Sequence, residues 1–547
     1  MALGAGLLVS SGCAETALVG QLDDSELQDV AVLPLAALGI SREVNDLVFG
    51  QYIDTYSIGG FTDEIAFSGV SGFESGTAIG SAESFWSGSS GMFEQIQEAI
   101  WASYKVVDLA YVLYEVRNEG PTPDAFETSP IVARAWLVGG QFERIMADHF
   151  CEATYQYGPT GGFNVNNLRT WADDNGFARF ELDAGKLWTK AEMYERAAFA
   201  FERAIEQAQR AIAAGDTTGF GNDANNDTGY NYFDPAIVLP AAYGGLAQAR
   251  LAMASYGMNP SANYAAALAA AAQVPTDAAD YWNTDGVNLR ENQNQNLSWD
   301  NDDISHWADT LIIGGETQIW GSAFARHVLP GDLRAARIED GTGGIQKCFD
   351  LRTKVGATID DVMPRDGRGN LLNLGNQGCG QSSDRVSINT VMEADEVPRV
   401  LLDNWSNEDR DIEAIHGTSA RLIEAEIALI NGDLATFTAK INEVRDYWGT
   451  TPITQPATAG ALEYPNELND AWSLLDREYL LNEHGNARRM HHLDRWQHPF
   501  ITDNHATLPR WAADIEEQGA GYQRASCFFI PPNECNLNNA VECPVFN

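Results

Sequence analysis

Positive charge is scarce in this chain. Lys and Arg together number 34 against 77 Asp and Glu, which leaves a formal net charge of −43. Such a surface repels phosphates, so nucleic acid is excluded as a partner. Adsorption to an anionic bilayer is disfavoured for the same reason. Solubility is the first reading of the charge and cation binding the second. Long apolar runs are also missing: no stretch of about 18 apolar residues occurs, so no spanning helix is expected. There are seven cysteines and no C-x-x-C, which speaks against a zinc knuckle or a thioredoxin-type site. Enzyme signatures are lacking as well. Gly69-Val70-Ser71-Gly72-Phe73 lacks the second glycine of a nucleophile elbow, and Gly341–Gly344 is followed by no phosphate-cradling Gly or Lys. Glu424 and Glu426 are two apart on a helix and point to different faces. With no such signature in place, the chain is not expected to be an enzyme.

What is present is a large apolar and aromatic complement. Hydrophobic residues make up 44% of 547, enough for one large domain, and 14 Trp, 18 Tyr and 23 Phe exceed a minimal core's needs. The N-terminal apolar run ends in Ser11-Gly12-Cys13, which reads as a lipoprotein signal peptide over 1–12 with Cys13 as the acylated residue. Lipid at Cys13 would tether the chain without inserting it. Six cysteines remain: Cys151, Cys348, Cys379, Cys527, Cys535 and Cys543. An even number in an exported chain fits disulfides. Cys348–Cys379 is the first pairing to expect, then one bridge among the three tail cysteines and one from them to Cys151.

Helical periodicity organises the rest. In Gly417–Gly449, an apolar face of Leu422, Ile423, Ala425, Ile427, Leu429 and Ile430 stops at Asn431-Gly432-Asp433. A second run follows through Phe437, Ile441, Val444 and Tyr447. Two amphipathic helices in about 33 residues form a tetratricopeptide-like pair, which must stack on others to bury its face. Further helices are expected at Gly91–Val116, Ile131–Phe150, Ala191–Ala214, Pro240–Tyr256, Asn263–Val274 and Trp472–Trp496. Gly59–Gly91 is Gly- and Ser-rich with aromatic tips, including Phe85 and Trp86. From about 275 to 411 Gly, Asn and Asp replace the periodic pattern; a loop-rich insert of that length is usually functional or disordered, and its aromatic content with Cys348 and Cys379 favours order. The expected organisation is therefore a tether at 13–40 and a single mostly α domain at 41–547. Within it, helical repeats at about 91–274 and 417–500 bracket the insert, and a tail wraps over 501–547.

Three segments carry a family resemblance. Leu422-Ile423-Glu424-Ala425-Glu426 followed by Gly432-Asp433 resembles the "L-x-x-A-E-A-x-x-x-x-G-D" hairpin of SusD/RagB outer-membrane lipoproteins. Arg489–Trp496 resembles their "R-x-x-D-L-x-R-W", and Phe529-Ile530-Pro531-Pro532 with Glu534 and Asn538 resembles their closing "P-I-P-x-x-E-x-x-x-N". His492 departs, standing where Asp is usual, as do His416 and Ser419, which stand where Arg and Glu are common. The resemblance implies a SusD-like helical scaffold, a lipid anchor as the sole membrane attachment, and a surface-exposed place on the outer membrane. It also implies delivery of a nutrient, foremost a glycan, to a SusC-like TonB-dependent transporter. Rival readings are a peptide or other non-glycan nutrient on the same fold, and a repeat-protein adaptor that docks protein segments.

Candidate ligand-binding residues follow from chemistry. A sugar site needs rings to stack on and amides to bond hydroxyls, and rings are enriched at recognition surfaces. Trp282 and Trp299 flank Asn283, Asp285, Asn288, Arg290, Asn292, Gln293 and Asn294. With Tyr281, Trp307, Phe85 and Trp86 they form the candidate set. A calcium loop is the one metal reading, since Asp223, Asn225, Asp227 and Asp234 fall at positions 1, 3, 5 and 12. Thr228 replaces the turn glycine there, so a plain helix-connecting loop competes. His484, His491, His492 and His498 could suggest a metal, but Gly485 and Asn486 interrupt the helix between His484 and His491, and the resemblance implies His491 and His492 as positions in a packed helix.

Overall fold

A computed structural model describes residues 87–155, 186–215, 233–281, 413–462, 470–483, 488–502 and 526–531, with short pieces at 30–34, 36–37, 40, 62, 66–67 and 317–318. The first helices are α1 (Ser87–Tyr111), α2 (Pro130–His149), α3 (Lys190–Ala214), α4 (Pro235–Ser255) and α5 (Pro260–Ala271). After the insert come α6 (Gly417–Ile430), α7 (Leu434–Tyr447), α8 (Ala471–Asn482), α9 (Arg489–Trp496) and the short α10 (Pro499–Thr502). Each helix packs on its predecessor through α5, and α6 packs on α7. The chain is mostly α, and the described strands are short antiparallel pairs: β1 (Ala66–Phe67) with β5 (Thr317–Gln318), β2 (Glu152–Ala153) with β3 (Trp188–Thr189), and β4 (Ala279–Tyr281) with β6 (Glu413–His416).

Local chemistry explains the helix ends. Thr189 and Glu192 make a reciprocal capping box at the start of α3, and Gly215 ends that helix at φ +73°. Ser129 with Pro130, and Asp234 with Pro235, set cap and first-turn proline at α2 and α4. The α6–α7 turn works as its sequence implies. Asn431 caps α6, Gly432 turns at φ +75°, and Asp433 accepts from Thr436 N at 3.0 Å. Helix α4 begins five residues before the expected Pro240, because Asp234 caps it and Pro240 is carried inside. The expected single helix Trp472–Trp496 is two, α8 and α9. Ile430, expected on the buried face, is 39% exposed, since it sits at the helix end beside the turn.

Three apolar cores result. The largest joins α1–α4, with Leu480, Met490 and Phe528 added from late in the chain. Leu33, Ala37 and Ile40 are buried in it too, so the packed domain begins earlier than the expected tether boundary at 40. Apolar spacing through that segment is the cause. A second core joins α6, α7 and α8, and a third joins α4, α5 and α6. The third is what makes the late hairpin continue the early stack. Arg421 of α6 reinforces it by donating to Ala271 O and Val274 O at the end of α5.

Close helix approach rests on glycine. A Cβ at Gly140 of α2 would lie 2.9 Å from the Phe201 ring, and one at Gly245 of α4 would lie 2.4 Å from it. Phe201 of α3 is thus clasped between two bare backbones. Gly417 is tighter still: a Cβ there would fall 1.9 Å from Pro275 O, which is backbone and has little room to move. Gly417→Ala is therefore expected to cost at least about 1–3 kcal/mol, the range of overpacked sites. A urea midpoint equal to wild type would contradict the tight contact.

Cys151 and Cys527 form a disulfide with a Cα–Cα distance of 5.1 Å. Beside it, Cys151 N donates to Phe528 O and Phe528 N donates to His149 O. The bond pins tail residues 526–531 to the end of α2. Cys13, Cys348, Cys379, Cys535 and Cys543 lie outside the described residues.

Candidate functional site

Two pairs of short strands draw the non-periodic parts of the chain together. β4 (Ala279–Tyr281) and β6 (Glu413–His416) run antiparallel, with Ala279 opposite His416 and Asp280 opposite Ile415. They close the two ends of the insert into one stem. β1 (Ala66–Phe67) and β5 (Thr317–Gln318) also pair antiparallel. That pairing joins the Gly- and Ser-rich aromatic stretch to the insert, two segments about 250 residues apart that composition alone had singled out.

The stem is fixed to the helices by named contacts. Asp280 is 1% exposed; its carboxylate accepts from Arg134 Nη1 at 2.6 Å and from Gln141 Nε2 at 3.3 Å, both on α2. A carboxylate can be buried here only because a cation and an amide meet it. On the other strand, Ile415 lies over Gly244 of α4, where a Cβ would come within 2.5 Å of Ile415 Cγ2. Gly417 N donates to Ala278 O at 2.7 Å and completes the turn into α6. His416 caps that helix: its Nδ1 accepts from Thr418 N at 3.1 Å. Its ring also stacks on Trp448 and meets Tyr447 edge-on. The departure from the family pattern at His416 is thus a structural cap.

Of the candidate ligand residues, Tyr281 is the last residue of β4, at the mouth of this stem. Trp282, Trp299, Trp307, Arg290, Phe85 and Trp86 lie outside the described residues. Asp234, position 12 of the calcium spacing, is the N-cap of α4 and accepts from Ala236 N at 2.8 Å. Asp223, Asn225 and Asp227 lie outside the described residues.

A second polar centre was only partly legible. Around α9, seven of eight residues are buried, four of them Arg or His and one Asp. Arg495 makes a two-pronged pair with Glu426 of α6, and Trp496 Nε1 donates to the same carboxylate at 3.0 Å. Arg489 donates to Asp476 of α8 at 2.5 Å. Asp494 meets Lys190 of α3 at 2.7 Å and accepts from Tyr256, just past α4, at 2.7 Å. His491 reaches Tyr194 of α3, and His492 reaches Glu483 after α8, each at 2.7 Å. Burial would raise Glu426, yet the Arg495 guanidinium and its hydrogen bonds hold it below the usual carboxylate range. This eight-residue helix thus joins α3, α4, α6 and α8 through polar groups. Glu424 points away from Glu426, pairing with Lys440 at 2.9 Å, as the two-residue spacing requires. Among the described residues no cluster of His, Cys, Asp and Glu fits a metal ion, and no helix is long and apolar enough to cross a membrane.

A stack of helix pairs, with one strand pair joining the segments on either side of 282–412, defines the class: a helical-repeat scaffold. Solved structures of that class match along nearly the whole length. A SusD superfamily protein from Bacteroides vulgatus ATCC 8482 aligns with TM-score 0.51 at 15% identity, covering 94% of this chain and 98% of that one. A SusD superfamily protein from Bacteroides thetaiotaomicron VPI-5482 aligns with TM-score 0.50 at 12% identity, covering 94% and 99%. No protein-family model and no curated protein sequence matches the chain. The fold is therefore that of these SusD superfamily structures, shared at 12–15% sequence identity.

Proposed function

We propose that this chain is a nutrient-capturing lipoprotein of SusD/RagB type, held on the outside of the outer membrane by lipid at Cys13. Its nutrient is a glycan or oligosaccharide, which it hands to a SusC-like TonB-dependent transporter. The observation that carries this reading is the SusD fold along 94% of the chain. The three motif segments quoted from the sequence support it further. The work is binding, with no bond made or broken. A rigid helical stack and a pinned stem limit the ordering entropy that binding would cost.

Trp282 and Trp299 are the leading stacking rings, with Tyr281, Trp307, Arg290, Phe85 and Trp86 as their neighbours in function. Trp282 is the next residue in sequence after Tyr281, the last of β4. The deciding experiment is a glycan and peptide array probed with soluble protein that starts after Cys13. Glycan hits support the reading, and peptide hits alone would replace it with a peptide-binding protein of the same fold. Against the best glycan hit, Trp282→Ala and Trp299→Ala should each cost about 1–3 kcal/mol, by analogy with hot-spot truncation and base stacking. That is about five- to hundred-fold weaker affinity. Unchanged affinity with a large fall in melting temperature would place these rings in the core instead.

Lipidation has its own test. Cys13→Ser should move the protein from the membrane fraction to the soluble fraction with its helical circular dichroism intact. Sedimentation with membranes lacking the transporter would exclude Cys13 as the sole anchor.

A further inference from the structure

The two adjacent histidines of α9 hold defined protonation states, and hydrogen-bond direction is enough to assign them. Tyr194 Oη is 2.6 Å from Asp148 Oδ1 and 2.7 Å from His491 Nδ1. Tyrosine has one proton to give. Asp148 is a carboxylate, so that proton goes to it, and His491 Nδ1 must donate to the tyrosine oxygen. His492 is arranged the other way round. Its Nε2 lies 2.7 Å from Glu483 Oε2 and must donate; its Nδ1 lies 3.2 Å from Arg495 Nη2 and must accept. Both nitrogens of His492 are therefore used by the neutral ring. The Arg495 that donates to it is the same Arg495 that holds Glu426, and Glu426 belongs to the α6–α7 hairpin.

We propose that α9 is a proton-sensitive latch between the α6–α7 hairpin and the α2–α4 stack. A proton from solvent bound at His492 Nδ1 removes the lone pair that accepts from Arg495. Two N–H groups then face each other, and the contact that seats Arg495 is lost. A proton on His491 adds a second positive charge to the same enclosed space. The cations already facing the pair are Arg488 and Arg495 on their own segment and Lys190 from α3. The anions are Asp148 from α2, Glu426 from α6, Glu483 after α8 and Asp494 within α9, with Asp476 of α8 occupied by Arg489. Tyr194, Tyr256 and Tyr479 complete the enclosure. His149 at the end of α2 bonds Ile145 O, and His498 lies 3.3 Å from Asp476.

The direction of the response follows from burial. Desolvation draws His491 well below the ordinary imidazole range and holds His492 at about 4, despite Glu483 beside it. In the opened state each returns toward about 6.5. The closed latch is therefore fully favoured above about pH 6.5 and is weakened as pH falls toward 4. At pH 5.5 the open state gains about tenfold for each histidine.

The test compares urea unfolding of the whole chain at pH 7.5 and 5.5 for wild type, His492→Gln and the His491→Gln/His492→Gln double variant. Gln in place of His492 keeps a donor for Glu483 and cannot titrate. Easing of net-charge repulsion acts on all three alike. Wild type should lose about tenfold more in its folding constant than His492→Gln, and more again than the double variant. Identical pH dependence in all three would overturn the proposal. Hydrogen exchange of wild type, corrected for intrinsic rates, is independent of whether the variants fold. On going to pH 5.5, protection should fall in 489–496 and 417–447 ahead of 130–149 and 190–214. A uniform fall, or none, would also overturn it.

Discussion

Arg495→Met should lower the stability of the folded chain by about 3–5 kcal/mol, the cost of stripping one partner from a buried ion pair. Glu426 is 1% exposed and would be left without its counter-charge once the guanidinium is gone, with Trp496 Nε1 still donating to it at 3.0 Å. The penalty is desolvation of a stranded carboxylate more than the loss of an attraction. That distinction can be measured. Glu426→Gln combined with Arg495→Met removes both charges and should recover a large part of the loss, because two neutral groups need no counter-charge. Urea unfolding of the two single variants and the double variant gives the coupling energy directly. Additive single costs would mean that the two groups act separately and would dismiss the pair as the link between α9 and α6.

Asp280→Ala should be of similar size, about 3–5 kcal/mol, for the same reason at the β4–β6 stem. It leaves the Arg134 guanidinium, 2% exposed, without the carboxylate it meets at 2.6 Å. The consequence is different because of where Asp280 sits. It lies in β4, whose partner strand is β6, and together these close the insert. Hydrogen exchange should therefore report faster exchange at 279–281 and 413–416 than a uniform loss of stability explains. Glycan affinity should fall along with it if the insert builds the ligand face. Exchange at the stem unchanged from wild type would show that the strand pairing stands without its ion pair.

Much of the scaffold was legible because helix signals are local. The Asn431-Gly432-Asp433 turn, the apolar spacing of Leu422, Ala425 and Leu429, and the split of Glu424 from Glu426 all depend on residues within a turn or two of one another. The same holds for Asp433 as a cap. Errors fell where a local signal had two outcomes. Pro240 marks a helix start when read alone, but Asp234-Pro235 upstream is the better start and the helix absorbs the second proline. Positions 30–40 read as part of a tether, yet Leu33, Ala37 and Ile40 found a core to enter.

Composition could single out the aromatic stretch near 59–91 and the Asn-rich insert, and it could say that rings among amides suit a sugar. It carried no information on which of these segments meet. The pairings β1–β5 and β4–β6 join segments more than a hundred residues apart, and backbone hydrogen bonds of that kind leave no periodic trace in either partner. Charged residues show the limit most clearly. Asp280, Glu426, Arg134 and Arg495 look in sequence like solvent-facing charges, since nothing beside them announces burial. Only the stacked helices bring each within reach of an opposite charge, and only that meeting makes their burial possible.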